Sequence, residues 1–349
     1  MFSRDFNLII KKKISPFSKE IEVDSDKSIS IRSFLIGSIS QNITSVTNAL
    51  ESEDVFSTIN CLKKLGVRIK KKNSKNYLVY GKGLGSLYAK RNTKLSFGNS
   101  GTLARLLLGI LSTTPGIELN VSGDHSLNKR SMQKLIKLLS EFGATFFPKN
   151  RNNFPLKIIS SSMPIGFKYN AEVSAQLKSA VIFGGLNSYG ETNIFEKYKS
   201  RDHTENMLIK NTKAIKIFNK RKKIIRVFGK NQLKPMKINV PGDPSSAAFF
   251  TALTLLNEKS YLKIKNVCLN KTRTGFYQIL KKQGAKIKIV NLKKNFNEPK
   301  GDIIVRSSKL KPIKVDKSFY VNSTDEYPIL FVMASLIKGT SSFSGIGDL

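Results

Sequence analysis

Residues 62–70 read LKKLGVRIK, and related stretches return three more times along the chain. Each looks like the end of an amphipathic helix, then a glycine, then an alternating strand, which is the order expected where a helix stops at a left-handed glycine. Successive copies lie roughly 70 residues apart, which indicates a chain built from repeated units. The other copies are LLSEFGATFF at 138–147, LIKNTKAIKIF at 208–218 with Lys213 in the glycine position, and LKKQGAKIKI at 280–289.

A second repeated stretch, a polar residue followed by an apolar run, precedes each of these copies. This pattern is typical of a capped helix whose body is mostly buried. Together the two patterns predict units of strand, buried helix, strand, second helix and strand pair, four of them complete and a fifth begun. The five openings read DKSISIRSFLIGSI at 26–39, GNSGTLARLLLGIL at 98–111, VSAQLKSAVIFGGL at 173–186, GDPSSAAFFTALTL at 242–255 and STDEYPILFVMASLI at 323–337.

These helix starts also predict anion binding. A helix N-terminus presents free backbone N–H groups and the positive end of the helix dipole, so it attracts negative charge. Several such starts meeting in one place would make a strongly anion-attracting site. The basic residues that support this prediction are Lys27, Arg32, Arg105 and Lys178.

Length and composition narrow the class of protein. The chain has 349 residues, 40% of them hydrophobic, so two domains are expected. The two cysteines, Cys61 and Cys268, show no metal-binding or redox spacing, which favours a reducing compartment. No signal-peptide pattern opens the chain, and no apolar run approaches the roughly 20 residues that span a bilayer. These features predict a cytoplasmic protein with no membrane partner.

The formal net charge of +36 is compatible with a nucleic-acid or polyanionic partner. However, the lysines are scattered along a chain rich in Lys, Asn, Ile and Ser, and no zinc-finger spacing, RNA-binding aromatic motif or basic heptad accompanies them. Drift in composition explains the charge more simply, so no nucleic-acid partner is predicted. His125 and His203 are the only histidines and lack obvious metal-binding partners, so no metal site is predicted.

Eight motifs, in this order, resemble one enzyme family, the 3-phosphoshikimate 1-carboxyvinyltransferases or EPSP synthases. The similarity runs from about residue 20 to the C-terminus, and two motifs, SAQLKSA and SRDHTE, are more like the second bacterial class than the enteric one. The motifs are DKSISIR (26–32), GNSGTLAR (98–105), GDHSLNKR (123–130), VSAQLKSA (173–180), SRDHTE (200–205), VPGDPSSAAFF (240–250), TRTG (272–275) and STDEYP (323–328).

The resemblance implies an α/β fold of two domains, each made of three βαβαββ units arranged as an inside-out α/β barrel. Residues 1–24 and 243–349 would form the first domain, and residues 25–242 the second. Six units of about 70 residues need about 420, so the fifth unit would be incomplete and the sixth absent. We therefore expect this chain alone to be inactive or impaired, with a buried face and a sheet edge of the first domain left uncovered.

The family transfers the enolpyruvyl group of phosphoenolpyruvate to the 5-hydroxyl of 3-phosphoshikimate and releases phosphate, in the shikimate pathway that leads to chorismate and the aromatic amino acids. The chemistry needs a base for the hydroxyl, an acid for the methylene carbon, and cations for two phosphates and a carboxylate. The resemblance implies these two small-molecule substrates, no metal or organic cofactor, and a monomer when full length.

The resemblance also implies roles for individual residues. Asp325 would accept the hydroxyl proton, Lys27 would contact both substrates and take part in proton transfer, and Gly101 would let the backbone approach phosphoenolpyruvate closely. The residues implied to bind 3-phosphoshikimate are Lys27, Ser28, Arg32, Ser174, Ala175, Gln176, Ser200, Arg201 and Asp325. Those implied to bind phosphoenolpyruvate are Lys27, Gly101, Arg130 and Gln176.

Other interpretations remain open on the sequence alone. Ser28, Ser174 and Asp325 fit plain helix caps, and Arg130 fits a solvated charge. UDP-N-acetylglucosamine enolpyruvyl transferase shares the fold and the donor, although no cysteine lies near residues 115–130 to match its loop nucleophile. A non-catalytic remnant that binds phosphoshikimate or nucleic acid is the alternative from another class.

Overall fold

The computed structural model describes residue 9, residues 11–219 and residues 223–347. Residues 1–8, 10, 220–222 and 348–349 lie outside this range, and they include both ends of the predicted first domain. Among the described residues, none of the helices combines the length and the apolar character needed to cross a membrane.

The predicted repeat is confirmed, since helices and strands recur in the expected order. The first repeat contains β1 (Ser18–Glu22), α1 (Lys27–Ile39), β2 (Ile43–Thr47), α2 (Glu53–Lys64), β3 (Arg68–Asn73) and β4 (Asn76–Tyr80). The second contains β5 (Lys94–Ser96), α3 (Gly101–Ser112), β6 (Glu118–Ser122), α4 (His125–Lys129), α5 (Gln133–Ser140), β7 (Thr145–Phe147) and β8 (Leu156–Ile159). The third contains β9 (Lys168–Ala171), α6 (Ala175–Asn187), β10 (Glu191–Glu196), α7 (His203–Ile209), β11 (Ile215–Asn219) and β12 (Lys223–Phe228).

The remaining elements continue the same pattern. The fourth repeat contains β13 (Lys237–Asn239), α8 (Pro244–Leu256), β14 (Tyr261–Cys268), α9 (Gly275–Lys282), β15 (Lys286–Asn295) and β16 (Glu298–Arg306). The fifth contains β17 (Lys314–Val315), a 3-10 turn at Lys317–Phe319, α10 (Tyr320–Ser323), a second 3-10 turn at Thr324–Glu326, α11 (Tyr327–Leu336) and β18 (Ser342–Phe343).

Four sheets share one strand order, in which a parallel pair adjoins an antiparallel hairpin. The orders are β13-β2-β4-β3, β5-β6-β8-β7, β9-β10-β12-β11 and β1-β14-β16-β15. Two of the strands are exchanged: β1 precedes α1 but pairs with β14, and β13 precedes α8 but pairs with β2. The chain thus passes twice between a three-sheet lobe, holding β2, β6 and β10, and a two-sheet lobe, holding β14 and β17.

Three helices, α1, α3 and α6, form the interior of the three-sheet lobe. They are buried along almost their whole lengths, because their apolar and small residues cover all sides of each helix. Gly109 brings α3 against α6, since a Cβ added there would lie 2.4 Å from the carbonyl oxygen of Ala180. This close packing fixes the N-termini of the helices relative to one another.

The predicted glycines after the second helices are confirmed. Gly66, Gly143 and Gly284 have φ values of +80°, +90° and +94°, which are left-handed conformations that favour glycine. After α2, the N–H of Val67 donates to the carbonyl of Leu62, which closes the helix end and turns the chain into β3.

The two chain crossings meet at a buried arginine. Arg273 is 3% exposed, and its Nη1 lies 3.1 Å from Asp26 while its Nη2 lies 3.3 Å from Asp243. Asp26 caps α1 and Asp243 caps α8 through their side chains. Burial would raise the pKa of Asp26, but Arg273, His203 and the N–H of Ile29 together outweigh it and hold that pKa below its usual value. One guanidinium therefore joins the first turns of helices from both lobes.

The two-sheet lobe presents an exposed apolar surface that the other lobe does not have around its central helices. On α8, Phe249 is 60% exposed, and on α11, Val332 and Leu336 are 54% and 67% exposed. The opposite sides of both helices are buried with Tyr327.

Candidate active site

A cavity of about 210 Å³ lies where the lobes meet, between the N-terminal turns of α1 and α6, the start of α7 and the turn Thr324–Glu326. We call it the interlobe cavity. It gathers residues from five of the sequence motifs that were far apart in the chain. Its lining residues are Ser28, Arg32, Thr102, Val173, Ser174, Ala175, Gln176, Arg201, His203, Val321, Thr324 and Asp325.

Arg32 is the buried cation of this cavity. It is 3% exposed, and its Nε donates to Thr204 Oγ1 over 2.8 Å while Nη1 donates to the carbonyl of Ser28 over 3.0 Å. Burial lowers the pKa of Arg32 to about 10, with Asp26 acting in the opposite direction. Arg32 therefore stays charged at neutral pH, in a fixed orientation suited to an anion.

The structure shows different roles for Ser28 and Ser174, which on the sequence alone both fitted plain helix caps. Ser174 caps α6, since its Oγ accepts from the N–H of Leu177 over 3.3 Å, and it lines the cavity as well. Ser28 does not cap α1; Asp26 does, leaving the half-buried Ser28 hydroxyl in the cavity wall. Both helices direct their N-terminal turns to the same space, which favours an anion there.

A second group of cations surrounds the start of α3. Arg105 Nη1 donates to Gln176 Oε1 over 2.9 Å and to the carbonyl of Gly101 over 3.1 Å. Arg130 donates to Asn99 over 3.2 Å. Burial lowers the pKa of Arg105, and the nearby Arg130 lowers it further, as expected where two cations share a site built for an anion.

Gln176 links the two groups, because it lines the interlobe cavity and also accepts from Arg105. Its Nε2 donates to Thr102 over 3.0 Å, which fixes the amide orientation. A ligand in the cavity and a ligand beside Gly101 would therefore contact one and the same side chain.

The sequence resemblance implies that phosphoenolpyruvate lies beside Gly101, so replacing Gly101 by alanine is expected to weaken its binding several-fold while leaving 3-phosphoshikimate binding unchanged. The new Cβ would lie 2.7 Å from Arg105 Nη1 and 3.5 Å from Arg130 Nη1. The Arg105 guanidinium is the end of a flexible side chain, so the fold tolerates the change but Arg105 moves, whereas 3.5 Å is an ordinary contact distance for Arg130. Calorimetric titration with each compound checks this, with Gly347→Ala as a surface control, since a Cβ added at Gly347 meets nothing within 4 Å. Equal weakening of both ligands would contradict it.

Arg201 and Asp325 form an ion pair across the lobes, with Nη2 and Oδ2 2.6 Å apart. The Arg201 side chain is 23% exposed and that of Asp325 46%, so both remain accessible from the cavity. Asp325 does not cap its helix; among the described residues its recorded partner is Arg201. An anionic ligand would compete with Asp325 for this guanidinium.

One prediction is wrong: Lys178 does not contribute to anion binding. Its side chain is fully buried, and Nζ lies 2.7 Å from Glu196 and 2.8 Å from Glu205. Burial would raise the pKa of Glu196, but Lys178 and Lys223 outweigh it and hold that pKa at about 2. Two carboxylates already neutralise the ammonium, so it has no charge to offer a substrate.

Three further predicted site residues lie apart from the interlobe cavity lining. Ser200 is 1% exposed and its hydroxyl donates to Glu196 over 2.8 Å. Lys27 is half exposed and lies 3.4 Å from Asp54. Arg130 lies beside Gly101 instead. Ser200 therefore positions the chain before Arg201, while Lys27 and Arg130 lie outside the lining of the interlobe cavity.

Sequence reasoning missed His203 and Thr204 as parts of the site. Both belong to the quoted motif SRDHTE, but nothing in their spacing indicates that one would face Glu298 and the other Arg32. Among the described residues, His203, Cys268 and Glu298 also form the one group with three potential metal ligands. Glu298 already accepts hydrogen bonds from Asn206 and Asn270, so the pairing explains this group without an ion.

Comparisons with known proteins agree on one family. A family model described as EPSP synthase (3-phosphoshikimate 1-carboxyvinyltransferase) matches residues 11–349. The chain is 43% identical over 334 residues to the 3-phosphoshikimate 1-carboxyvinyltransferase of Caldicellulosiruptor saccharolyticus, covering 95% of this chain and 76% of that protein. The enzyme of the same name from Novosphingobium aromaticivorans is 40% identical, over 96% of this chain and 76% of its own.

Solved structures give the same result for the fold. The EPSP synthase from Acinetobacter baumannii is similar with a TM-score of 0.86 at 34% identity, covering 96% of this chain and 76% of that one. The predicted fold class, an α/β protein of repeated βαβαββ units, is thereby confirmed.

Proposed function

Because the chain belongs to the EPSP synthase family, we propose that it acts in the transfer of the enolpyruvyl group of phosphoenolpyruvate to the 5-hydroxyl of 3-phosphoshikimate, with release of phosphate. The family implies small-molecule substrates. The observation that carries the proposal is the interlobe cavity, where Ser28, Arg32, Ser174, Gln176 and Arg201 come together around one space.

We propose that this cavity holds 3-phosphoshikimate. Arg32 and the N-terminal turns of α1 and α6 offer charge and N–H donors to its 3-phosphate, with Ser28, Ser174 and Ala175 in the wall. A dianion needs a cation that is fixed before it arrives, and the bonds from Arg32 to Thr204 and Ser28 supply that.

Phosphoenolpyruvate is proposed to lie beside the start of α3. Arg105 and Arg130 flank Gly101 there, and Gln176 connects the place to the interlobe cavity. Lys27, half exposed near the start of α1, is proposed to reach both compounds once they displace Asp54. Two separate groups of cations joined by one amide match an enzyme that must bring two anions together.

The chemistry we propose follows from these positions. Asp325, released from Arg201 by the anionic substrate, accepts the proton of the 5-hydroxyl while that oxygen bonds to the enol carbon of phosphoenolpyruvate. An acid, for which Lys27 is our candidate, protonates the methylene carbon in the same addition. Loss of that proton and cleavage of the carbon–oxygen bond to phosphate then complete the transfer.

We also propose the division of the chain into residues 1–24 with 243–349 and residues 25–242. The exchange of β1 and β13 supports it, since each strand pairs in the lobe opposite to the helix that follows it. We further propose a monomeric cytoplasmic protein with no nucleic-acid partner and no metal or organic cofactor. Two buried free thiols, Cys61 and Cys268, support a reducing compartment.

Calorimetric titration of the protein tests the proposal by its choice of ligand. We expect 3-phosphoshikimate to bind one site per chain and more tightly than UDP-N-acetylglucosamine, because the cavity of about 210 Å³ suits one ring with one phosphate better than a nucleotide sugar. Its phosphate, which meets a buried arginine, gains about 2–3 kcal/mol over shikimate. Shikimate without the phosphate is the matched control and should bind far more weakly. Preference for the nucleotide sugar would favour the related transferase, and salt-sensitive binding of an RNA oligonucleotide alone would favour the nucleic-acid alternative.

A further inference from the structure

His203 has one ring nitrogen without a hydrogen-bond partner among the described residues. The residue begins α7, is 1% exposed and lines the interlobe cavity. Its Nδ1 lies 3.1 Å from Glu298 Oε1, whereas Nε2 is buried and unpaired within that part of the chain. Buried polar atoms are nearly always paired. An unpaired nitrogen on a residue that lines a cavity points to a partner that arrives with a ligand.

Glu298 determines which nitrogen carries the proton. It lies on β16, in the other lobe, and also accepts from Asn206 over 3.1 Å and from Asn270 over 3.0 Å. Burial would raise the pKa of Glu298, but His203 and these amides outweigh it and hold that pKa below its ordinary value. An ionised carboxylate can only accept a hydrogen bond, so Nδ1 carries a proton, and Nε2 becomes a donor when a second proton is added there.

Several of the other charged groups around His203 already have partners. On the cavity side Arg32 is tied to Thr204, and Arg201 is paired with Asp325. Titratable and charged groups surround His203 from several elements. From other elements these are Asp26, which caps α1, Arg32 on α1, Cys268 on β14, Glu298 on β16 and Asp325 on the facing turn; from its own segment they are Arg201 and Asp202. An arriving anion that separates Arg201 from Asp325 would be the new negative charge in this set.

Resting on the proposed function, we propose that His203 is a further binding residue for 3-phosphoshikimate, donating from Nε2 to an anionic group of that compound and taking up a proton as it binds. The anionic group is the 3-phosphate or the ring carboxylate, which share the same acceptor chemistry. Glu298 supplies the orientation from the opposite lobe, so the contact also couples substrate binding to the position of the two lobes.

Histidine NMR tests this directly, because the chain has only two histidines. The imidazole signals of the whole protein are titrated from pH 5.5 to 8.5 with and without 3-phosphoshikimate. We expect the midpoint of His203 to rise by about one pH unit on binding, and that of the exposed His125 to stay unchanged, since one charge-assisted hydrogen bond corresponds to roughly tenfold in affinity. His125→Asn assigns the signals.

A variant separates a ligand contact from a purely structural one. His203→Asn keeps a donor near the position of Nδ1, and so the contact with Glu298, but removes Nε2. We expect it to bind 3-phosphoshikimate about tenfold more weakly below pH 6.5, with the difference from wild type shrinking as the pH rises and the histidine loses its charge. Comparison with wild type at each pH cancels the titration of the substrate phosphate itself.

The outcomes distinguish this inference from the function on which it rests. If wild type binds 3-phosphoshikimate but the His203 midpoint does not move, this inference is wrong and the proposed function stands. The same holds if His203→Asn binds as wild type does at every pH. If wild type does not bind the compound at all, both fail. Parallel titrations with shikimate and with inorganic phosphate identify which anionic group moves the His203 signal.

Discussion

Replacing Arg32 by alanine is expected to weaken 3-phosphoshikimate binding by roughly 30-fold to several thousand-fold, the equivalent of about 2–5 kcal/mol for removing one partner of a buried charge pair. Arg32 is 3% exposed and is the buried cation of the interlobe cavity. Without it, the substrate phosphate would lose its water and gain no fixed opposite charge in return.

The geometry around Arg32 makes a graded test possible. Arg32→Lys keeps the charge but places its three donors on one nitrogen, which does not reproduce the separate positions of Nε beside Thr204 and Nη1 beside Ser28, so we expect an intermediate loss. Arg91→Ala removes an exposed arginine that pairs with Glu118 on the surface and should leave binding unchanged. Calorimetry measures all three. Binding by Arg32→Ala within threefold of wild type would remove Arg32 from the site.

Replacing Lys178 by methionine is expected to destabilise the protein by about 3–5 kcal/mol, because the removal of one member of a buried ion network leaves uncompensated charge. Lys178, Glu196 and Glu205 are buried, and Lys223 is the remaining cation within 3.3 Å. Urea unfolding followed by circular dichroism measures the change in the transition that includes the three-sheet lobe.

Controls for Lys178 follow from the charge count. Adding Glu205→Gln to Lys178→Met leaves one carboxylate for Lys223 and should restore much of the stability. Lys134→Met removes a lysine that is 72% exposed and should change stability by less than about 0.5 kcal/mol. An effect of Lys178→Met no larger than that of Lys134→Met would contradict the network.

The pH dependence of the Lys178 effect has a fixed sign. The pKa of Glu196 is lowered to about 2 in the folded protein, so its stabilising contribution is present above the ordinary value near 4.5 and is lost as the pH falls through about 2. Once Glu196 is protonated it carries no charge, and the ammonium of Lys178 no longer stabilises it. The destabilisation by Lys178→Met should therefore be largest near neutral pH and shrink as the pH falls below about 4.5.

Local patterns in the sequence predicted most of the fold. The glycines at 66, 143 and 284 ended helices as expected, because a left-handed residue is a requirement of the local backbone. The polar openings predicted helices whose caps are now seen at Ser100, Ser174 and Asp243, although at α1 the cap is Asp26 and not Ser28. Periodicity and capping depend on neighbours in the chain, so they can be read without the tertiary structure.

The candidate site was predicted less completely, because its residues interact across lobes. Arg32 is the sixth residue of α1 and Lys178 the fourth of α6, and each stands beside a serine in a polar-capped helix. Yet Lys178 pairs with two glutamates, whereas Arg32 lines the cavity. His203 stood inside a quoted motif without any sign that Glu298, 95 residues away, would hold it. No local pattern distinguishes a basic residue that will be neutralised from one that will stay available.

By itself, then, the sequence determined the repeating unit, the buried helices and the anion-attracting helix starts, since each follows from spacing along the chain. The tertiary structure decided which cations meet in the interlobe cavity, which are neutralised, and which residues cross from one lobe to the other. The physical reason is that burial and nearby partners decide whether a charged side chain is free to bind a ligand. Both arise only when the chain folds and the exchange of β1 and β13 brings distant segments together.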